Sequence, residues 1–521
     1  MSTTSIPSAR ARAKTRLSYD RFRAWLVACA VRPEARPWLV IQLAILHAVL
    51  WTFILINLKA AQDVHMDVAE AYGWGQKFLW GYGKHPPLSG WVAGLWFKAF
   101  PAADWATYAL AMTTVSVGMV ICWLLSLRVV DARRAFLVVV MIALYPIFNF
   151  KGFKYNPDLL QLVTLPLLVL AYLNAFEKRS WQSGVLLGLA GALIHPDRLR
   201  FLSSPAPWVA IATMVAAMIP HIVWLAEAHF VALTYAGDTY SLQDSSQVHQ
   251  LVAGYALHNL GLLALPVALA ALAMALVPPW IKLLLRAPSR IVTRAWARGG
   301  NSGVNLSQAL NVWIIQIVVA FGPPLGALVF SIYMKTDWGI SLFFLVPLAL
   351  VAIPTLRVQR ASLFNIAAIW LVLSVATLAA SPWIATREMA ANAGNTSTYG
   401  ARSELARELT QAWHARFASR WAVVAGTMES IQPMVFYSPD HPAALLPLEA
   451  WDSGLTSRDD ARRYGFIGVF DPTDGRLPAF EKWVSETAPN AERIVMTTRR
   501  FTHGRAGPSM SWNVYIAPPA K

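Results

Sequence analysis

Charged residues are scarce in this sequence: only 14% of its 521 residues are Asp, Glu, Lys or Arg, whereas 56% are hydrophobic. Soluble domains carry about 25% charged residues, so this scarcity excludes a chain made only of soluble domains. The mean hydropathy is +0.45. We therefore expect a polytopic membrane protein, for which the lipid bilayer is the first partner.

Cysteine and acidic residues are also few. The chain has only two cysteines, Cys29 and Cys122, which excludes a disulfide framework and a cysteine-rich metal site. The 28 acidic residues leave 44 Lys and Arg largely unbalanced, with a formal net charge of +16. In a membrane protein, basic cytoplasmic loops that face anionic headgroups explain such an excess, so we expect no nucleic-acid partner.

Nine apolar runs are long enough to cross a hydrocarbon core of about 30 Å. Basic clusters in alternate loops predict a cytoplasmic N-terminus. A shorter apolar segment, 184–194, has basic residues on both flanks, and we interpret it as a packed or half-inserted helix that does not cross. The nine predicted spans lie near 38–58, 105–127, 135–150, 159–176, 207–226, 250–277, 310–333, 338–355 and 363–384.

The spans divide the chain into three parts. Residues 1–37 form a basic cytoplasmic N-terminus, and residues 38–384 form a transmembrane domain whose first exoplasmic loop is 59–104. Residues 385–521 have a soluble composition and follow the ninth span, so we expect an exoplasmic α/β domain. Its predicted helices are 402–417, 429–437 and 478–487, and its β-rich runs are 421–426, 464–470, 493–498 and 512–517.

The predicted spans contain essentially no Asp, Glu, Lys or Arg. Ion-coupled transporters bury such groups at mid-membrane, so this absence argues against a transporter. The remaining ionisable groups there are histidines such as His47, His221 and His258, which are more often structural. A non-catalytic membrane receptor is harder to exclude.

Ionisable and aromatic residues are concentrated in the first exoplasmic loop. Asp67 and Glu70 are three residues apart, which places both carboxylates on one face of a helix, and the cations Lys84 and His85 follow. This mixture suits a sugar-phosphate ligand, although an interfacial aromatic belt with solvated charges explains it equally well. The loop also contains Tyr72, Trp74, Tyr82, Pro86 and Pro87.

The first loop resembles the signature of the GT-C fold membrane glycosyltransferases, in the superfamily of protein mannosyltransferases and lipid A aminoarabinose transferases (glycosyltransferase family 39). In that family the loop begins with an Asp, continues with an aromatic-rich helix, and ends in a Gly-Tyr-x-x-His-Pro-Pro-Leu or Lys-Pro-Pro-Leu stretch. Matching separations are found here for Asp67, Tyr72, Trp74, Trp80-Gly81-Tyr82 and Lys84-His85-Pro86-Pro87-Leu88.

The second exoplasmic loop, 151–160, resembles the family's second acidic motif, in which an Asp opens the fourth span. Here that residue is Asp158. The resemblance extends to the layout of the whole chain, including the terminal α/β domain. We therefore expect Asp67 and Asp158 to converge, with their carboxylates within about 10 Å of each other.

The resemblance implies a sugar donor linked to polyprenyl phosphate and an acceptor hydroxyl that approaches from the exoplasmic face. The acceptor would be lipid A or another envelope glycolipid, with a secreted protein as the alternative. The location would be the bacterial inner membrane, with the terminal domain in the periplasm. No nucleotide-binding glycine loop is needed, and the sequence contains none.

The resemblance also implies roles for residues. Asp67 would be the general base, and Tyr72, Trp74, Tyr82, Pro86 and Pro87 would contact sugar or lipid. Asp158 would orient the acceptor, assist as a second carboxylate or help to hold a divalent cation. The metal is therefore unknown, and no cofactor is certain. The structural alternative for Asp158 is that it is the N-cap of the fourth span. The leaving phosphate would be bound by Lys84 and His85, with Lys151 or Lys154.

Two departures from the family pattern matter. Val68 follows Asp67 where the family often has Glu, so the second carboxylate of the catalytic set is displaced to Glu70. Relatives have a hairpin of two spans where this chain has only 184–194, which leaves open whether the enzyme is impaired. The terminal domain is not expected to be the catalytic centre, because its Asp residues, including Asp440, Asp471 and Asp474, lie in turn-like stretches.

Overall fold

The computed structural model describes residues 37–182, 203–240, 245–276, 303–449 and 455–520. The predicted basic N-terminus and the short apolar segment 184–194 lie outside the described residues. The first part of the chain is helical, and its helices are α1 (Pro37–Leu58), α2 (Met66–Gly75), α3 (Leu88–Ala99), α4 (Asp104–Val129), α5 (Ala132–Leu144), α6 (Pro157–Lys178), α7 (Pro205–Glu227), α8 (Val231–Tyr240), α9 (Ser245–Ala275), α10 (Leu306–Phe330), α11 (Val346–Val351) and α12 (Arg360–Ala391).

Seven of the described helices are long and apolar enough to cross a membrane: α1, α4, α6, α7, α9, α10 and α12. Two further predicted spans form shorter helices. α5 has 13 residues and ends before Pro146, and α11 has only six residues, between Phe344 and Pro354. Proline cannot continue a helix without losing a hydrogen bond, which accounts for these ends. The protein is a multi-pass membrane protein, and the count of nine crossings stays a prediction.

Contacts between distant helices define two ends of the bundle. At one end, the Lys59 ammonium at the end of α1 is 3.6 Å from the Glu388 carboxylate near the end of α12. At the other end, the Gln308 amide of α10 donates to Glu177 of α6 at 2.6 Å. We call the first the loop end, because both acidic loops of the sequence lie there.

Residues 402–520 form an α/β domain, and a short helix, α13 (Thr396–Tyr399), lies in the linker before it. The elements of the domain are α14 (Arg402–His414), β1 (Val423–Gly426), α15 (Met428–Tyr437), β2 (Ala443–Leu445), α16 (Arg458–Tyr464), β3 (Phe466–Phe470), α17 (Leu477–Thr487), β4 (Glu492–Thr498), β5 (Phe501–Thr502), β6 (Arg505–Ala506) and β7 (Met510–Ala517). The four predicted β-rich runs and three predicted helices are confirmed. The strand β2, the helix α16 and the β5–β6 hairpin were not predicted.

The main sheet has the strand order β2-β1-β3-β7-β4. β1 is parallel to both β2 and β3, whereas β7 is antiparallel to β3 and β4. Helices cover both faces: Ile431 of α15 belongs to the same hydrophobic cluster as Val424 and Val469, while Phe480 of α17 stacks on Phe470 in a second cluster. The polytopic helical fold with a C-terminal α/β domain is confirmed.

A buried ion-pair network attaches the α/β domain to the first loop. The Asp63 carboxylate, just before α2, has a fully buried side chain. It accepts hydrogen bonds from the backbone N–H and the Nε of Arg402 at 3.1 Å and from Arg500 Nη2 at 2.6 Å. Beside it, the Val64 N–H donates to the Tyr437 hydroxyl at 2.7 Å. The first loop and the domain are therefore one packed unit.

Removing the Asp63 carboxylate should loosen this unit. Breaking a buried ion pair typically costs about 3–5 kcal/mol because charges remain unpaired. We expect Asp63→Ala to lower the unfolding temperature in detergent and to expose the chain between α12 and α14 to protease. Asp459→Ala is the control, because Asp459 pairs with Arg462 on the surface, where such a pair contributes little. Equal behaviour of the two variants would contradict the role of Asp63.

Candidate active site

Asp67 lies in the first turn of α2. His65 caps this helix, since its Nδ1 accepts the backbone N–H of Asp67 at 3.2 Å. A carboxylate in the first turn is favoured by the positive end of the helix. The Asn156 amide donates to Asp67 Oδ2 at 3.3 Å. The first and second acidic loops therefore meet at Asp67.

The surroundings keep Asp67 ionised. Burial by itself would raise the pKa of its carboxyl group, but the opposing effects of His65, Lys154, Lys84 and Lys335 are together larger, so the pKa lies below its usual value. The pKa of His65 is lowered to about 4, chiefly by burial. The site thus pairs a carboxylate with a neutral imidazole near pH 7.

The second acidic loop is ordered by Asn156. Its side chain accepts the Leu159 N–H at 2.9 Å and caps α6, and Pro157 occupies the first turn. The alternative prediction that Asp158 is the N-cap is therefore wrong, because the cap is two residues earlier. Asp158 instead directs its side chain into a cavity.

That cavity has a volume of about 290 Å³ and lies at the loop end of the bundle. Its lining combines six charged side chains and one asparagine with four apolar residues. The charged and amide residues that line it are Lys59, Lys151, Lys154, Asn156, Asp158, Asp337 and Glu388. Lys151, Lys154 and Asp158, which the sequence predicts as site residues, are thus brought together.

Two lysines of the cavity contact residues that are far from them in the sequence. Lys154 Nζ is 3.7 Å from Asp337 Oδ2, and Lys151 Nζ is 3.3 Å from His258 Nε2, which is itself 3.5 Å from Asp337. The ion-pair distances exceed the roughly 2.7–2.9 Å of a strong charge-assisted hydrogen bond. An incoming phosphate could therefore compete for these ammonium groups.

Four residues around the cavity were not predicted as site residues from the sequence. Lys59, Asp337 and Glu388 follow or precede spans, and His258 was expected to be structural. The available signal was their position: Lys59 lies in the first exoplasmic loop, Asp337 lies between the seventh and eighth predicted spans, and Glu388 follows the ninth. Their convergence depends on helix packing, which the sequence pattern does not give.

Glu70 forms a buried ion pair with Lys84. Its Oε2 is 2.8 Å from Lys84 Nζ, and both side chains are almost fully buried. Burial raises the pKa of Glu70 to about 7, although Lys84 opposes the shift. Neither residue lines the cavity that contains Asp158. Glu70 therefore holds Lys84 in position, and its catalytic role stays a prediction.

The predicted phosphate-binding set is divided by the structure. Lys151 and Lys154 line the cavity, whereas Lys84 and His85 do not. The pKa of His85 is lowered to about 4 by burial and by Lys84, so its imidazole is neutral near pH 7. Its ring packs edge-on against Trp74 with 5.7 Å between ring centroids. His85 is therefore not a cation in this environment, and its binding of the phosphate stays a prediction.

The predicted sugar-contacting aromatics are buried in packing contacts. Trp74 and Tyr82 stack with 5.1 Å between their centroids and pack against Leu455 of the α/β domain. Tyr72 contacts Phe436 of α15 edge-to-face at 5.3 Å. These three side chains fix the first loop against the domain and do not line the cavity. Pro86 is exposed and Pro87 half-buried, so their contact with substrate stays a prediction.

A family comparison bears on this site. Residues 84–194 match the family model described as dolichyl-phosphate-mannose-protein mannosyltransferase. The matched segment includes Lys84, both lysines of the second loop and Asp158. Over this segment, the match agrees with the resemblance to GT-C glycosyltransferases that the loop motifs indicate. The predicted resemblance to this family is thus supported for residues 84–194.

Two solved structures are also similar in layout. The crystal structure of ArnT from Cupriavidus metallidurans bound to undecaprenyl phosphate aligns with 13% identity and a TM-score of 0.48, covering 92% of this chain and 99% of that one. The apo structure of the same protein aligns with 12% identity and a TM-score of 0.44, covering 95% and 98%. The family assignment rests on the match over residues 84–194. No curated protein matches the chain.

Within the described part of the chain, no group of three or more His, Cys, Asp or Glu comes together in a way that could hold a metal ion. The cavity contains Asp158, Asp337 and Glu388 among lysines; Asp337 already faces Lys154, and Glu388 faces Lys59. These residues do not fit a divalent-cation site, and no step below depends on one.

The raised pKa of Glu70 predicts how the folding stability of the protein depends on pH. The pKa rises from 4.5 to about 7 on folding, so between these values the folded state binds more protons than the unfolded state. Stability must then fall as the pH rises through this window. We expect the unfolding temperature to drop more between about pH 5 and pH 8 in the wild type than in Glu70→Gln. The same pH dependence in both proteins would disprove the raised pKa.

Proposed function

We propose that the protein transfers a sugar from a polyprenyl-phosphate donor to an acceptor hydroxyl on the exoplasmic face of the bacterial inner membrane. The observation that carries the proposal is the meeting of the two acidic loops: Asp67 accepts a hydrogen bond from Asn156, and two residues later Asp158 faces a cavity with three lysines. The family match covers the second loop and most of this lysine set.

The chemistry is an inverting displacement at the anomeric carbon. Asp67, which is ionised, accepts the proton of the acceptor hydroxyl while that oxygen bonds to the anomeric carbon. The bond from this carbon to the phosphate oxygen breaks, and the electron pair stays on the phosphate. Lys151 and Lys154 offset the charge that develops on the leaving group.

The acceptor is proposed to be lipid A or another envelope glycolipid, or else a secreted protein hydroxyl. Both approach from the side on which the α/β domain covers the first loop. The transferred sugar is a hexose or a pentose. The chemistry proposed for Asp67 is the same in each case, since every acceptor must lose a hydroxyl proton.

Asp67→Asn tests the general base. Asparagine can keep the hydrogen bond from Asn156 but cannot take a proton, so we expect transfer to fall by at least about a hundredfold. Donor binding should change little. The measurement is transfer of labelled sugar from purified polyprenyl-phosphate donor to an envelope lipid extract, with Asp459→Asn as a matched surface control. Full activity in Asp67→Asn would exclude Asp67 as the base.

Lys151→Met and Lys154→Met test the phosphate site. Each removes one charge-assisted contact while keeping an unbranched apolar side chain, so we expect the KM for the donor to rise about tenfold. Lys482→Met is the control, because Lys482 is an exposed residue of α17. An unchanged KM in both cavity variants would show that the donor phosphate binds elsewhere. A well-folded wild type that binds donor but never transfers sugar would favour the receptor alternative.

A further inference from the structure

The α/β domain has a crevice where two neighbouring strands are followed by connections on opposite faces of the sheet. The connection after β1 leads to α15 on one face of the sheet, and the connection after β3 leads to α17 on the other face. The two strands are parallel neighbours. In open α/β sheets, a crevice outside the carboxyl ends of two such strands is where ligands bind.

The strand ends approach closely at this point. A Cβ added to Gly426, the last residue of β1, would lie 2.3 Å from the carbonyl oxygen of Val469 in β3. Only glycine fits there. Beyond the strand ends the crevice has a volume of about 250 Å³, and it is lined mainly by Arg402, Thr427, Glu429, Ser430, Asp471, Asp474, Arg476 and Trp512.

Two buried hydroxyl groups have unused hydrogen-bonding capacity in this crevice. Thr427 is the N-cap residue of α15, but its side chain does not cap the helix. Its hydroxyl bonds instead to that of Ser430 at 3.0 Å, and the two residues are 6% and 3% exposed. Among the described residues, each hydroxyl has only the other as a hydrogen-bond partner. Both residues line the crevice, so their hydroxyls can also bond to a polar group that enters it.

The charges of the crevice select the type of ligand. Arg402 is committed to Asp63, and Asp474 is paired with Arg476 at 2.8 Å. The Asp471 Oδ1 accepts from Thr473, which leaves Oδ2 with no hydrogen bond among the described residues. With Glu429 also lining the crevice, the uncompensated charge is negative. Such a site accepts hydrogen bonds from hydroxyl groups and repels phosphate.

We propose that this crevice binds a neutral or amine-bearing carbohydrate and serves as the subsite for the sugar part of the acceptor. The acceptor role rests on the transferase function proposed above, whereas carbohydrate binding does not. Hydroxyl donors on the sugar meet Asp471 and Glu429, and a sugar oxygen accepts a hydrogen bond from the Thr427–Ser430 pair. An acceptor whose glycan is rich in hydroxyl groups is therefore preferred over a phosphorylated one at this position.

The crevice is joined directly to the active-site loop. Arg402 donates through Nη1 to the backbone carbonyl of Glu429 in the crevice and through Nε to Asp63. Asp63 is four residues before Asp67. A sugar held at Glu429 is thus separated from the start of α2 by a single arginine side chain.

The test is calorimetric titration of the full-length protein in detergent with three probes: N,N′-diacetylchitobiose, glucosamine and glucose 1-phosphate. We expect at least one of the first two to bind more tightly than glucose 1-phosphate. Thr427→Val and Asp471→Asn should each weaken that binding by about tenfold, as expected for a lost hydrogen bond to a charged or buried group. Asp459→Asn, on the surface of α16, should bind as the wild type does.

The outcomes separate this inference from the transferase proposal. Asp67→Asn should lose transfer but bind carbohydrate as the wild type does. That result would support both the crevice assignment and the transferase proposal. Tighter binding of glucose 1-phosphate, or no binding of either uncharged or amine-bearing probe at tens of millimolar, would overturn the crevice assignment. Binding that survives both Thr427→Val and Asp471→Asn would also overturn it. Retained transfer in Asp67→Asn would contradict only the active-site proposal.

Discussion

The buried Asp63 carboxylate is the interaction on which the arrangement of the site depends. It lies between the end of α1 and the start of α2, and it receives donors from Arg402 and Arg500, which are nearly a hundred residues apart in the α/β domain. A buried charge must remain paired, so the domain cannot move away from the loop without a large cost in free energy. The orientation of Asp67 is therefore determined partly by a domain that follows the last membrane helix.

The surroundings of Asp67 and Glu70, which lie on one helix, shift the pKa values of the two carboxyl groups in opposite directions. Asp67 is near several cations, and its pKa lies below the usual value, whereas Glu70 is buried with Lys84 as its close partner and has a pKa of about 7. Such divergence between neighbouring acids is typical of sites in which they have different tasks. Here Asp67 is suited to remain a charged base, and Glu70 is suited to hold a lysine.

The cavity at the loop end is assembled from segments far apart in the chain. Lys59 follows α1, Lys154 precedes α6, Asp337 lies between α10 and α11, and Glu388 is near the end of α12. The polar ends of the helices meet at one end of the bundle, since charges are excluded from the apolar spans. The same constraint that makes the spans apolar thus concentrates the ionisable groups where a lipid-linked phosphate could be bound.

The sequence by itself determined the features that depend on local pattern: the apolar spans, the amphipathic helix α14, the strands of the α/β domain and the acidic loop motifs. Only the tertiary structure decided which side chains face the cavity. Asn156 caps α6 in place of Asp158, because capping depends on backbone geometry at one residue. Tyr72, Trp74 and Tyr82 are buried because the α/β domain packs on them. Such contacts join residues hundreds of positions apart, and no periodicity in the chain records them.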